Sequence, residues 1–286
     1  MKARAFAYAR PRTLGEAHAA YAGAQGDASY ISGGQSLVPA LAMRLQAPQV
    51  LIDLAGIEAL RGVWLDGGVL RIGALTRHAE ALTDPLICTH APLLAAAAPF
   101  VAHPAIRNRG TLGGSVALAD PASEFPAMML AMDAEMEISA PEGTRRVPAG
   151  EYFQDLYQTA IEPGEILVAL HVPAVGPRHC WAFDELARRR GDYAMVGGGI
   201  LAECDGGIIR AIRIALFSVG PTPVRARGAE QALAGRAPDA EAIAAAQRAL
   251  DTDIDPLDDE EVPAAMRRHL ARVLLGRLLR QLEIAR

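Results

Sequence analysis

Two short segments, Ser32-Gly33-Gly34-Gln35-Ser36 and Thr111-Leu112-Gly113-Gly114-Ser115, constrain this chain more than any other feature. Each sets a pair of glycines among hydroxyl side chains, between stretches with the pattern of regular structure. Paired glycines allow positive φ and let backbone N–H groups close around an anion, with Ser or Thr hydroxyls serving the remaining oxygens. The competing reading of either segment is a tight turn with no ligand. Two such loops in one chain suit a dinucleotide, whose diphosphate has two phosphates to hold. No GxGxxG occurs, so a Rossmann fingerprint is absent. The residues alone therefore lead to a phosphate-bearing cofactor of undefined kind.

Charge and composition narrow the chemistry. The 28 basic and 33 acidic side chains leave a net charge of −5, which argues against a partner bound through phosphate neutralisation, as nucleic acid is. Lys2 is the only lysine in 286 residues. That excludes a Walker-type phosphate loop and leaves no other lysine for Schiff-base chemistry. Cys88, Cys180 and Cys204 lie far apart in sequence and form no CxxC pair, so an iron–sulfur cluster or structural zinc held by this chain alone is not expected. They read as small buried apolar residues. Histidines occur in neither HxxxH nor HExxH spacing. No apolar run approaches the roughly 20 residues of a membrane span, and no apolar region follows the basic start, so a cytoplasmic protein is expected.

The chain divides into three pieces. Residues 1–54 read as a small lobe: Thr13 as N-cap with Glu16 at capping-box spacing, a helix to about Ala24, a strand at 29–31, a helix over 37–45 and a strand at 50–53. Residues 55–173 form a second lobe, with strands at 69–73, 135–138 and 166–170 among helices and glycine turns. Residues 174–286 follow a Pro-Gly linker with three strands at 180–186, 196–203 and 208–219. The turn Asp205-Gly206-Gly207 joins the last two. A closing helix carries Met266, Leu270, Val273, Leu274, Leu278 and Leu282 on one face, with Asp258 to Glu261 at its start and Arg277, Arg280 and Arg286 toward its end. The class is α+β.

Ile31-Ser32-Gly33-Gly34-Gln35-Ser36-Leu37-Val38-Pro39 resembles the first flavin loop of the FAD-binding subunits of the xanthine dehydrogenase and carbon monoxide dehydrogenase family. His103-Pro104-Ala105-Ile106-Arg107-Asn108-Arg109-Gly110-Thr111-Leu112-Gly113-Gly114-Ser115 resembles the second. Similar segments occur in family order at 72–78, 119–124 and 191–197, so the likeness spans almost the whole chain.

That resemblance implies a PCMH-type FAD-binding domain, like that of vanillyl-alcohol oxidase, in two lobes. It also implies a C-terminal domain of three antiparallel strands and helices. By the same resemblance, residues 31–38 hold the diphosphate through amides and the Ser36 hydroxyl, while Thr111 to Ser115 face its other side. Glu124 would accept the adenosine ribose hydroxyls, with Asp120 either sharing that role or capping its own turn. Val101 and Leu167 would give the cofactor apolar or backbone contacts. Tyr193 would stand beside the isoalloxazine ring, or else be an ordinary core tyrosine. Some relatives carry a lysine after the aromatic matching Phe183; this chain has Asp184, so that contact is not carried over. Which of Arg188, Arg189 and Arg190 faces the cofactor stays open.

The implied partners are a large molybdenum–pterin subunit and a small subunit with two [2Fe–2S] clusters, in a dimer of heterotrimers serving an external acceptor. Two other readings remain: a stand-alone flavin oxidoreductase, and a flavin-free assembly protein of the same fold.

Overall fold

The computed structural model describes residues 2–282, so Arg286, expected near the end of the last helix, lies outside the described residues. The chain builds an α+β molecule around three principal sheets.

The first sheet contains β1 (Ala7–Ala9), β2 (Ala28–Ile31) and β3 (Val50–Asp53) in the order β1-β3-β2, all parallel. Parallel neighbours need crossovers. Helices Leu14–Gly23 and Leu37–Met43 supply them. Thr13 caps the first, accepting from the Glu16 amide at 3.2 Å, while the Glu16 carboxylate reaches the Arg12 amide, one residue before the expected partner. The second helix stops two residues earlier than its pattern suggests because Arg44 turns left-handed.

The second sheet is antiparallel throughout. It contains β4 (Val63–Asp66), β5 (Val69–Gly73), β6 (Glu135–Ala140) and β7 (Gly143–Pro148). A small hairpin, β8 (Phe153–Asp155) with β9 (Gln158–Thr159), precedes β10 (Ile166–Pro173). The sheet order is β4-β5-β10-β6-β7. Short helices between β5 and β6 cover one face, with Phe125, Met128 and Leu93 against Ile72, Met136 and Leu170. A smaller cluster of Ile52, Leu54, Ile57, Leu60, Leu75, Ile166 and Val168 joins the first two sheets.

The third sheet contains β11 (His179–Leu186), β12 (Val196–Asp205), β13 (Ile208–Phe217) and β14 (Val224–Arg225). Three long antiparallel strands match the expectation. The two-residue β14 is too short to leave a periodic signal, and adds a fourth. Gly206 and Gly207, at φ +57° and +79°, form the tight turn between β12 and β13. Side chains on this sheet alternate between two cores. Phe183, Leu201, Ala215 and Phe217 join the core of the second sheet. Ala182, Ile200, Ile214 and Leu216 face the helices Arg227–Leu233, Ala240–Asp253 and Ala264–Gln281. The face of the last helix differs from its reading at one position: Met266 is exposed, near the solvent end, while Leu275 and Leu279 are buried instead.

Cys180 and Cys204 are buried, with sulfurs 3.0 Å apart across β11 and β12. Cys88 is exposed, contrary to its reading as a buried residue, because it lies on the outer side of the short helix Pro85–His90.

Candidate functional site

The carboxyl ends of β1, β2 and β3 open onto one cleft of about 620 Å³. Ligands of open parallel sheets characteristically bind outside the carboxyl ends of the strands. Ile31, Ser32, Gly33, Gly34, Gln35 and Val38 line this cleft where β2 runs out. Ser36 and Leu37 start the helix that follows and do not line it; the Ser36 side chain makes no cap bond.

Gly34 takes φ +71°, which a branched residue would resist. That turn leaves the amides of Gly33, Gly34, Gln35, Ser36 and Leu37 without an acceptor among the described residues, while Val38 donates back to Gly34 O at 3.0 Å. Gln35 folds over the loop and donates to Gly33 O at 2.9 Å. Five successive undonated N–H groups at a helix start form an anion cradle. Arg10 and Arg109 also line the same cleft.

The second loop is built on the opposite principle. Leu112 N donates to Thr76 O at 2.8 Å and Gly113 N to Ala74 O at 3.0 Å. Gly114 N donates to Thr111 Oγ1 at 3.0 Å and Ser115 N to Thr111 O at 3.0 Å. All four amides are committed. Its glycines are there for space: a Cβ on Gly113 would lie 2.5 Å from Ala74 Cβ, and one on Gly114 2.8 Å from Ser32 Oγ. The loop can offer a ligand hydroxyls, not an amide nest.

His78 fixes this loop from behind. Its amide donates to Gly110 O at 3.0 Å and its Nε2 donates to Thr111 O at 2.9 Å. Burial pushes its pKa down to about 4, so the ring is neutral at physiological pH.

Beyond the second loop lies a second group of side chains. Asp120 is buried and caps its own turn, accepting from Ala122 N at 2.9 Å, the second of the two roles open to it. Burial raises Glu124 to about 7, with Asp120 adding to the shift. Burial also raises Glu185 to about 8, followed by the charges of Glu124 and Asp184. Tyr157 and Tyr193 both face Asp120, and Tyr193 is 73% exposed, so it is no core tyrosine. Ser115 Oγ and Ser123 Oγ, 3.5 Å apart, connect this group to the loop. Val101 and Leu167 are buried at 8% and 6% exposure and do not line the cleft.

Asp184 turns onto the amide of Glu185 at 2.9 Å. Arg188 reaches Glu261 O at 3.2 Å. Among the described residues, no three His, Cys, Asp or Glu side chains converge to hold a metal ion.

Sequence reasoning missed Tyr8, Arg10, Asp53 and Arg109. Asp53 ends β3 and Arg10 follows the end of β1, so the carboxyl-edge rule applied to these strands would have found them, whereas Tyr8 sits in the middle of β1 and carries no such signal. The coupling of Glu124 to Glu185, 61 positions apart, has no local signal.

Known families account for almost the whole chain. Residues 4–175 match the family described as the FAD binding domain in molybdopterin dehydrogenase, and residues 181–282 match the CO dehydrogenase flavoprotein C-terminal domain. The chain belongs to this family of FAD-binding dehydrogenase subunits. It is 36% identical over 274 residues to the carbon monoxide dehydrogenase medium chain of Hydrogenophaga pseudoflava, covering 96% of each. It is 38% identical over 255 residues to the 6-hydroxypseudooxynicotine dehydrogenase complex subunit alpha of Paenarthrobacter nicotinovorans, covering 88% of this chain and 86% of that one. A chain of quinoline 2-oxidoreductase from Pseudomonas putida 86 superposes with a TM-score of 0.94 at 37% identity, covering 98% of both. The protein is thus an oxidoreductase subunit of the molybdenum hydroxylase family, and its two-lobed FAD-binding domain with an appended C-terminal domain is the expected architecture.

Proposed function

We propose that this chain is the electron outlet of a molybdenum hydroxylase, holding FAD between its two glycine loops. The observation that carries the reading is the run of free amides that begins at Gly33, Gly34 and Gln35 in the cleft, which Arg10 and Arg109 also line. Donors of this kind fit a diphosphate, and no lysine is needed. When bound, FAD accepts electrons singly or in pairs, which lets it join one-electron clusters to a two-electron acceptor.

The protein's own residues do the positioning. The first loop donates amides to the diphosphate. Thr111 to Ser115 close the other side, with the Thr111, Ser32 and Ser115 hydroxyls as the remaining donors. Tyr193, exposed at the far end, screens the ring from solvent and from the acceptor. Val101 and Leu167 support that end from the core.

A small [2Fe–2S] subunit delivers the electrons, and a large molybdenum–pterin subunit oxidises the organic substrate, together in a cytoplasmic dimer of heterotrimers. The names of the 6-hydroxypseudooxynicotine and quinoline relatives support an N-heterocycle as substrate. No helix among the described residues is long and apolar enough to cross a membrane.

The test is co-purification of the full chain with the products of its neighbouring genes, followed by anaerobic addition of candidate heterocycles. Substrate-dependent bleaching of flavin absorbance in the complex, absent from the isolated chain, is expected. Bleaching by substrate in the isolated chain would establish a stand-alone oxidoreductase instead, and a colourless protein that takes up no FAD would establish an assembly factor.

A further inference from the structure

Cys180 and Cys204, 24 positions apart, meet at the root of the β11–β12 hairpin, opposite the turn that carries Tyr193. The register sets Cys180 against Ala202, so Cys204 is its diagonal neighbour on the same face of the sheet. Diagonal neighbours ordinarily stand about 7–8 Å apart. Here β12 slips its register against β13 between Glu203 and Cys204. A bulge of that kind bends its strand and sharpens the local twist. The two sulfurs come to 3.0 Å, in a thiol–thiol hydrogen bond that either can donate. A disulfide holds its sulfurs about 2 Å apart, so roughly 1 Å of side-chain movement would join them.

Both residues belong to the aliphatic cluster between the third sheet and its helices, and each keeps 8% exposure. Burial pushes the Cys180 thiol above its ordinary range, and the hydrogen bond to Cys204 adds to the shift. Such a thiol is rarely ionised and is a poor leaving group, so a bridge made here forms slowly and is reduced slowly. Cys88 is exposed on the helix Pro85–His90, in the second lobe.

We propose that Cys180 and Cys204 form an oxidation site, a reversible disulfide that staples the root of this hairpin when the protein meets hydrogen peroxide. One sulfur attacks a peroxide oxygen: an S–O bond forms, the O–O bond breaks, and the departing hydroxide takes the thiol proton as water. The second sulfur then displaces the sulfenic oxygen: the S–S bond forms, the S–O bond breaks, and a second water leaves with the second thiol proton. Two thiols are oxidised and one peroxide is reduced. In a reducing compartment the pair stays as thiols, so the staple marks oxidative load. It closes a loop of chain and thereby restricts the unfolded state.

The test uses the full chain carrying Cys88→Ala, treated with hydrogen peroxide and then alkylated under denaturing conditions. The untreated protein takes two alkyl groups, one on each remaining cysteine. The treated protein takes none, and its Cys180 and Cys204 peptides have a joint mass until a phosphine reductant parts them. Its melting temperature rises on the order of 5 °C and falls back on reduction. Adding Cys204→Ala abolishes the rise. The site is overturned if the treated protein still takes two alkyl groups, if both sulfurs become sulfinic acids without a bridge, or if the bridge joins two chains. A bridge within one chain that leaves the melting temperature where it was would overturn the staple.

Discussion

Ser32 and Thr111 lock the two glycine loops together, with their hydroxyl oxygens 3.2 Å apart although 79 residues separate them in sequence. Around that contact the backbones nearly touch: a Cβ on Gly33 would lie 2.4 Å from Arg109 O and 2.8 Å from Gly110 Cα. The loops are therefore one joint between the lobes, and their glycines serve contact between backbones as much as contact with a ligand.

Gly33 is the tightest point of that joint. Even Gly33→Ala must push the second loop back, because the obstruction is backbone and cannot rotate away. Gly33→Val is expected to purify without flavin while keeping its far-ultraviolet circular dichroism. A Gly33→Val protein with full flavin content would show that the diphosphate does not lie here.

His78 supplies the second loop's anchor. His78→Ala removes the donor to Thr111 O and the ring that packs on Phe125 at 4.9 Å between centroids. A loss of about 2–4 kcal/mol of stability is expected from the orphaned carbonyl and the cavity together. The histidine also makes the fold sensitive to acid. Its folded pKa of about 4 lies below the ordinary 6.5, so its contribution is complete above 6.5 and is lost as pH falls toward 4. Denaturant titrations of both proteins between those pH values test this; a variant with the same slope as the parent would rule it out.

Glu124 and Glu185 work in the other direction. Their folded pKa values, about 7 and about 8, lie above the ordinary 4.5, so the folded state holds extra protons between those limits. Stability from these groups is fully present below 4.5 and declines as pH rises through 7 and 8. In the flavin-free chain, Glu124→Gln and Glu185→Gln should each flatten the decline in melting temperature between pH 5 and 9 that the parent shows. Parallel curves for parent and variants would mean that the carboxyls ionise normally.

Gly197 faces Phe217 directly across β12 and β13, and a Cβ there would sit 1.9 Å from the ring's Cζ. The ring stacks on Phe183 with centroids 6.2 Å apart and fills the core shared with the second sheet. Gly197→Ala should cost about 1–3 kcal/mol, the range for overpacking a tight core, measured by equilibrium unfolding. Gly150→Ala at an exposed position is the comparison, since it meets no atom within 4 Å and its φ is not positive.

Much of this molecule was legible in its sequence. Val50-Leu51-Ile52-Asp53, the long strands of the third sheet and the Gly206-Gly207 turn follow from period-two alternation and turn chemistry, which act locally. The two glycine loops were legible as a pair, but not their division of labour. Gly33-Gly34 and Gly113-Gly114 look alike as letters. Only the tertiary partners Ala74 and Thr76 show that the second pair has spent its amides while the first has not. Tyr8 was invisible for a similar reason. It lies in the middle of a three-residue strand, and it meets Asp53 only because β1 pairs with β3 across about forty residues of chain. The raised carboxyls depend on β11 delivering Glu185 to Glu124, a contact that no spacing announces.

The third sheet has a face in each of two cores, and that arrangement governs what happens if the chain is cut. Proteolysis in the Pro-Gly segment before β11 would not release two soluble halves. One fragment would carry Phe183, Leu201 and Phe217 bare on its outer side, and the other would lose the wall that covers Met128 and Leu93. Each exposed surface is the complement of the other, so the nicked pieces should stay paired through purification and separate only in denaturant. The boundary drawn by sequence families is thus a seam in ancestry, and mechanically the protein is a single block.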